Sequence, residues 1–272
     1  MNLTYFYRAP RYFIRKLIEE LRSISWRYGL YSLHKNHKKK LLKLKNKHKG
    51  KPCVIIGSGP SIKKMNINRF KDHISIGCNA FYLLGKKYNF SPNYYTVEDP
   101  CPAEDNKDQI NSLKQSIKII PLDLKKFISD GENTIYVNFK RSSIFYKNKK
   151  FPLYSDKFEE YSFWGGTVLY FNIQLAQYLG CNPIKLVGVD LNYKIPKNVI
   201  KKGNILISLE DDINHFDPEY FGKGKRWHLP EVGRMQKAFD TAYKNTKKSN
   251  IDLVNSGLDG NLKNLPRDKT FL

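Results

Sequence analysis

The sequence predicts an α/β protein with a doubly wound, Rossmann-like, mostly parallel sheet that follows a basic amphipathic helical extension. Short, mostly apolar segments recur along residues 51–272, the first of them wholly apolar at residues 52–56, and segments of helical periodicity connect several of them. Wholly apolar strands are typical of parallel sheets, because helices cover both faces. With 272 residues, 40% of them hydrophobic, the chain suits one large α/β domain with an appendage and excludes a disordered or fibrous protein.

Seven segments are predicted to be strands, and two are predicted to be the main helices between them. The strands are expected at residues 52–56, 74–78, 94–97, 117–121, 134–138, 184–189 and 251–254. One helix is expected at residues 167–179, where Gly180 ends it, and the other at residues 231–247, after Pro230. This alternation predicts a catalytic domain over residues 51–272, separate from an extension over residues 1–50.

The extension is strongly basic. Residues 1–50 hold fourteen Lys or Arg and two acidic residues, within a chain of formal charge +23. Its apolar side chains recur at helical spacing, at Phe13, Ile14, Leu17, Ile18, Leu21 and Ile24. Such a helix is suited to an anionic membrane surface, and docking on the chain's own core or on a second copy in a homo-oligomer is the alternative. Nucleic acid is a weaker candidate partner, because the lysines lack the arginine-rich and aromatic pattern of base recognition.

The cellular setting expected from the sequence is the cytoplasm, with peripheral attachment to the inner face of the membrane. No apolar run approaches the ~18–20 residues that span a bilayer, and the N-terminal segment lacks the layout of a signal peptide. The four cysteines form no C-x-x-C pair, which argues against a zinc ribbon or a disulfide framework.

Polar residues follow the carboxyl ends of four predicted strands, the edge where ligands bind in open α/β sheets. The candidates for nucleotide binding are Gly57, Ser58, Gly59, Pro60 and Ser61 after the first strand, Asn79 after the second, Asp99 after the third and Asp190 after the 184–189 strand. The glycine loop predicts a phosphate site, since glycines admit an anion and a following helix would add positive charge. The loop matches neither the G-x-G-x-x-G nor the Walker pattern.

A second cluster, at residues 214–228, combines histidines with phenolic and cationic side chains. The candidate catalytic residues are His215, His228, Tyr220, Lys223, Lys225 and Arg226. A histidine suits proton transfer, and the cations suit a phosphate group. Just upstream, Asp211 and Asp212 are consistent with either a metal site or a solvated turn.

Taken in order, these motifs resemble two related groups of transferases. Residues 57–61, 77–81 and 179–190 are similar to the nucleotide-binding region of bacterial sialyltransferases of glycosyltransferase family 42. With residues 165–167 and 214–224 added, they are more similar to 6-hydroxymethylpterin diphosphokinase (MptE)-like proteins, which include relatives of flagellin glycosyltransferases. The resemblance covers about residues 50–262 and leaves the extension outside.

The resemblance adds Gly165, Gly166, Thr167 and Tyr193 to the candidate nucleotide site. Tyr193 stands one residue later than the corresponding tyrosine of the sialyltransferases. The spacing to the following helix implies His228 as the catalytic base, whereas the MptE-like run contains His215. Both histidines therefore remain candidates.

Three functions follow as hypotheses. The first is a glycosyltransferase that uses a nucleotide-activated, CMP-linked acid sugar and a glycan or lipid-linked acceptor, with no cofactor or metal required. The second is a diphosphokinase that moves pyrophosphate from ATP and needs Mg²⁺, for which Asp99, Asp190, Asp211 and Asp212 are available ligands. The third is a non-catalytic basic binding protein, which would leave the glycine loop and the histidine cluster without a role.

Overall fold

The computed structural model describes residues 4–141, 151–269 and 271, with side chains described from residue 13 onward. The helices are α1 (Thr4–Tyr28), α2 (Ser32–Leu42), α3 (Phe81–Tyr88), α4 (Pro100–Asp105), α5 (Lys107–Ser112), α6 (Val168–Tyr178) and α7 (Val232–Lys248). The strands are β1 (Cys53–Ile56), β2 (Ile74–Cys78), β3 (Tyr94–Thr96), β4 (Ile117–Pro121), β5 (Thr134–Val137), β6 (Phe139–Lys140), β7 (Ser162–Phe163), β8 (Ile184–Val187), β9 (Val199–Lys202), β10 (Ile205–Ser208), β11 (Arg226–His228) and β12 (Leu253–Asn255).

A seven-stranded sheet in the order β12-β8-β1-β2-β3-β4-β5 forms the centre of the protein. Every neighbouring pair in it is parallel, which confirms the predicted Rossmann-like class. Each of the seven predicted strands is present. The chain builds outward from β1 to β5 on one side and places β8 and β12 on the other, so the switch point of the topology lies between β1 and β8. A crevice at such a point is where open α/β sheets bind ligands.

The core contains the sheet, α6 and part of the extension. All four residues of β1 are buried, and α6 is buried along almost its whole length against β1, β2 and β8. Trp26 of α1 and Leu41 of α2 belong to the same hydrophobic core, and α2 packs on β5. The predicted helix of the extension is therefore present and has one face docked on the body.

A second, three-stranded antiparallel sheet, β9-β10-β11, was not predicted. Its outer strand β9 is largely exposed and ends in two lysines, so it lacks the apolar pattern that marked the other strands. The register pairs Ile205 with His228 and Ile207 with Arg226, and β11 contacts α4. This sheet carries His228 to the carboxyl edge of the central sheet. None of the described helices is long and apolar enough to cross a membrane.

Candidate active site

His228 and Asp99 form a hydrogen-bonded pair at the end of β3, with 2.6 Å between His228 Nδ1 and Asp99 Oδ2. Strand alternation explains the arrangement, because Trp227 is buried while Arg226 and His228 lie on the opposite face of β11. Asp99 is also the N-cap of α4, where its other carboxylate oxygen accepts a bond from the Cys101 backbone N–H. At the far end of α4, Asp105 binds Arg226. These two contacts hold β11 against α4.

The environment of His228 favours its protonated form. Its side chain is 37% exposed, and that of Asp99 is 24% exposed. The hydrogen bond to Asp99 raises the pKa of His228 above 6.5, and burial opposes this effect. Because Nδ1 is bonded to Asp99, Nε2 is the ring nitrogen left for a substrate among the described contacts.

A buried charge network lies directly behind this pair. Arg141 binds Glu98 at 3.2 Å (Nη1 to Oε2) and Asp123 at 2.6 Å (Nε to Oδ2). Its backbone N–H donates to Glu19 of α1. Burial raises the pKa of Glu98 to about 7, although Arg141 lowers it. Sequence reasoning did not place these residues in the site. The strand-end rule that selected Asp99 applies equally to Glu98, whereas Arg141 follows the short strand β6, which was not predicted.

The glycine loop after β1 packs closely against the end of β8. Asp190 accepts hydrogen bonds from both the backbone N–H and the hydroxyl of Ser61. A Cβ at Gly57 would overlap the carbonyl of Gly188, and one at Gly59 would overlap the Asp190 carboxylate. The segment that follows is a 3₁₀ helix, Pro60–Lys64, so the expectation of a longer helix and its terminal charge was wrong. Since Asp190 occupies both donors of Ser61, the phosphate role of the loop stays a prediction.

His215 is part of the internal structure of a loop that covers the glycine loop. Its Nδ1 lies 2.6 Å from Asp212 Oδ2, and the two side chains are only 6% and 3% exposed. Its ring stacks on Tyr220, with 4.2 Å between centroids. The loop is attached to the glycine loop by a bond from the Phe216 N–H to the Ser58 carbonyl. Tyr193 lies beside His215, with 6.1 Å between ring centroids.

Asn79 is held rigidly and has an unused acceptor. Its backbone adopts a left-handed conformation, donates to the Thr96 carbonyl and accepts from the Tyr95 hydroxyl. Its side-chain Oδ1 is buried without a hydrogen-bond partner among the described residues. The hydroxyl of Tyr220 lies beside the Asn79 and Ser58 side chains; burial raises its pKa, and hydrogen bonding to these two side chains opposes that effect. A buried polar atom left unpaired is unfavourable by about 1–3 kcal/mol. A ligand that donates a hydrogen bond to Asn79 Oδ1 would remove that penalty.

The cationic side chains of the second cluster are mostly engaged by α4 and by Asn106, which follows it. Lys225 donates to the Asp105 carbonyl at 2.9 Å and to the Asn106 side chain at 2.6 Å. Arg226 pairs with Glu104 and Asp105. Lys223 is exposed. The expected roles of these three cations at a phosphate stay predictions, and the contacts show that Lys225 and Arg226 also hold β11 in place.

Gly165, Gly166 and Thr167 form the start of α6. The Thr167 hydroxyl caps the helix by accepting from the Leu169 N–H at 3.4 Å. A Cβ at Gly165 would overlap the ring of Tyr170, and one at Gly166 would overlap Arg234. These contacts explain the residues by packing, and their nucleotide role stays a prediction.

One group of described side chains could hold a metal ion, namely Asp99, Cys101 and His228, whose ligand atoms lie within 4.8 Å of one another. Mg²⁺ prefers several oxygen ligands, which this set lacks. Of the other expected carboxylates, Asp190 binds Ser61 and Asp212 binds His215. Burial raises the pKa of Cys101 to about 11, which disfavours the thiolate that binds metals. The described residues therefore do not fit a magnesium site.

The fold and the strand-end residues define a Rossmann-like α/β protein with candidate ligand-binding residues along the carboxyl edge of its sheet. The family model for 6-hydroxymethylpterin diphosphokinase MptE-like proteins matches residues 29–196, and the chain belongs to this family. This match confirms the predicted resemblance to MptE-like proteins, but it begins within the extension and ends before residues 214–228, so the predicted range of about residues 50–262 was wrong at both ends.

Comparison with curated proteins gives no match. Among solved structures, that of the MAf glycosyltransferase from Magnetospirillum magneticum AMB-1 is similar, with a TM-score of 0.50 and 16% sequence identity. The similarity covers 88% of this chain and 39% of that chain, so this protein spans about two fifths of the length of the other. At this identity the likeness shows a shared fold.

Proposed function

We propose that the protein is a glycosyltransferase that uses a nucleotide-activated sugar, with His228 as the general base. The observation that carries this proposal is the His228–Asp99 pair at the carboxyl edge of the sheet. A carboxylate that binds one ring nitrogen fixes the tautomer, so that the other nitrogen can accept a proton. Membership of the MptE-like family and a neighbour named as a glycosyltransferase are consistent with the proposal.

The reaction would proceed by one displacement at the anomeric carbon. Neutral His228 donates its Nδ1–H to Asp99 and takes the proton of the acceptor hydroxyl at Nε2. The acceptor oxygen forms a bond to the anomeric carbon as the bond from that carbon to the nucleotide phosphate oxygen breaks. The phosphate leaves with the bonding electrons, and the imidazolium is stabilised by Asp99.

His228 is a better candidate for the base than His215. His215 is almost fully buried, stacked on Tyr220 and bonded to a buried carboxylate, so a hydroxyl group could reach it only after the loop opened. His228 is partly exposed and needs no such opening. The distance in sequence between His228 and the following helix, which resembles that of the sialyltransferases, selects the same residue.

The donor we propose is a CMP-linked acid sugar, and the acceptor is a glycan or a lipid-linked glycan. The unpaired Asn79 Oδ1 suits an N–H donor such as the amino group of a nucleobase. CMP, the leaving group of such a donor, carries a single phosphate, so the reaction needs no divalent cation to bridge a chain of phosphates.

The diphosphokinase reading is the second candidate, and the family name favours it. It requires Mg²⁺ to bridge a triphosphate, whereas the described carboxylates do not converge on an oxygen-rich site. A non-catalytic binding protein would leave the Asp99–His228 pair without a purpose. We therefore place the transferase first.

Nucleotide binding followed by thermal shift tests the proposal. The panel is CMP, CDP, UDP, GDP and ATP, each with EDTA and with Mg²⁺. We expect CMP or CDP to raise the melting temperature in EDTA, because a ligand that binds the folded state stabilises it. Asn79→Ala should abolish this shift, and Asn36→Ala, at an exposed position on α2, should retain it.

The outcomes separate the three functions. A shift with ATP that requires Mg²⁺ would favour the diphosphokinase. No shift with any nucleotide would count against a nucleotide site and favour the binding protein.

A further inference from the structure

We propose that the exposed apolar face of α1 binds the surface of an anionic lipid bilayer, with the helix lying along that surface. Five aliphatic side chains form the face and are each about half exposed or more, namely Ile14 (57%), Leu17 (60%), Ile18 (57%), Leu21 (57%) and Ile24 (49%). A contiguous stripe of this kind marks an interaction surface, whereas single exposed apolar residues are ordinary. This inference does not depend on the proposed catalytic activity.

The opposite face of α1 is fixed to the body of the protein, so the apolar face is directed away from it. Trp26 is fully buried, and its ring N–H donates to the Glu159 carbonyl at 2.8 Å. Arg22 binds the Phe139 carbonyl, and Glu19 accepts from the Arg141 backbone N–H. These three anchors lie on one side of the helix because their spacing of three and four residues matches the helical repeat.

The charge of α1 and α2 identifies anionic lipid as the occupant. Exposed cations that form no ion pair within the described part of the chain lie on these two helices, namely Arg15, Lys16, Lys35, Lys39 and Lys43, with Arg15 on the anchored side of α1. An amphipathic helix with such cations is attracted to acidic headgroups while its apolar side chains enter the interface. A second copy of the chain fits less well, because pairing through this face would bring two sets of cations together.

The position of α1 gives the surface a connection to the candidate active site. Glu19 contacts Arg141, and Arg141 pairs with Glu98, the residue before Asp99. A bilayer bound at α1 would therefore lie against the helix whose Glu19 holds Arg141, and Arg141 in turn supports the His228–Asp99 pair through Glu98.

The test is flotation of the full chain with phosphatidylcholine vesicles, prepared with and without phosphatidylglycerol. We expect recovery with the anionic vesicles and a marked decrease at high salt. Leu17→Gln combined with Leu21→Gln should lower the partition coefficient by about tenfold or more, since two apolar side chains no longer enter the bilayer. Arg15→Gln combined with Lys16→Gln should reduce binding to the anionic vesicles.

The matched control is Ile195→Gln combined with Ile213→Gln, at two exposed isoleucines of the body, which should bind vesicles as the wild type does. Because all substituted side chains are exposed, we expect unchanged melting temperatures. Equal recovery of the Leu17/Leu21 variant and the wild type would overturn the proposal. A second result would also overturn it. If light scattering shows that the wild type is a dimer and the Leu17/Leu21 variant a monomer, while both bind vesicles equally, the face binds a second copy of the chain.

Discussion

His228→Asn is expected to lower kcat by about 10²–10⁴-fold, the usual contribution of a positioned general base. The side chain is partly exposed, so the melting temperature should change little. Asparagine keeps a polar group near Asp99, but its amide cannot take the proton from the hydroxyl of the acceptor substrate. Release of CMP from a CMP-linked nonulosonic acid, followed at saturating acceptor, gives kcat directly.

The matched control is His215→Asn. This change removes the stacking on Tyr220 and leaves the buried Asp212 carboxylate without the imidazole, so we expect a lower melting temperature. Our assignment of the base would be reversed if His215→Asn were stable but inactive while His228→Asn remained active.

Arg141→Met is expected to lower the free energy of unfolding by about 3–5 kcal/mol, the usual effect of removing one partner from a buried ion pair. The guanidinium pairs with two carboxylates, and the Glu98 side chain is only 7% exposed. Methionine would fill part of the space, leave Glu98 without its ion-pair partner, and leave Asp123 with only the longer pair to Arg22 at 3.9 Å. Equilibrium denaturation in urea, monitored by circular dichroism, measures the change.

Two controls separate this network from surface charge. Lys64→Met removes an ion pair whose partners are both well exposed, and we expect no measurable change. At alkaline pH, where Glu98 is ionised, adding Glu98→Gln to Arg141→Met should restore part of the stability, because it removes one unpaired buried charge. Wild-type stability of Arg141→Met would show that the network is not a structural support of the site.

The central sheet could be predicted because its strands have a simple physical signature. Parallel strands covered on both faces are mostly apolar, as in Cys53–Ile56, and Ile184–Val187 is buried along its whole length although it contains Lys185. The same logic selected candidate site residues, since polar residues that directly follow such strands all lie on one edge. Asn79, Asp99 and Asp190 were predicted in this way, and each lies just after a strand of the sheet.

The contacts between distant segments could not be predicted. Asp99 and His228 are 129 residues apart, and a sheet with an exposed, lysine-bearing strand brings them together. Arg226 looked available for phosphate because its sequence neighbours are basic, but Asp105 on α4 binds it. Asp190 and Ser61 each suggested a ligand role when read alone, and the fold joins them to each other.

The pH–rate profile of the wild type and Asp99→Asn tests the central claim most directly, namely that His228 paired with Asp99 is the base. His228 must be neutral to act, and Asp99 raises its pKa, so kcat should rise with pH through a midpoint above 6.5. Asp99→Asn should lower kcat and move that midpoint to lower pH. Burial raises the pKa of Glu98 to about 7, so Glu98 could produce a similar pH dependence, and Glu98→Gln is the needed control. If His228 is the base, the kcat of this variant should still fall at low pH. An acid limb that stays in place in Asp99→Asn, or disappears in Glu98→Gln, would contradict the account.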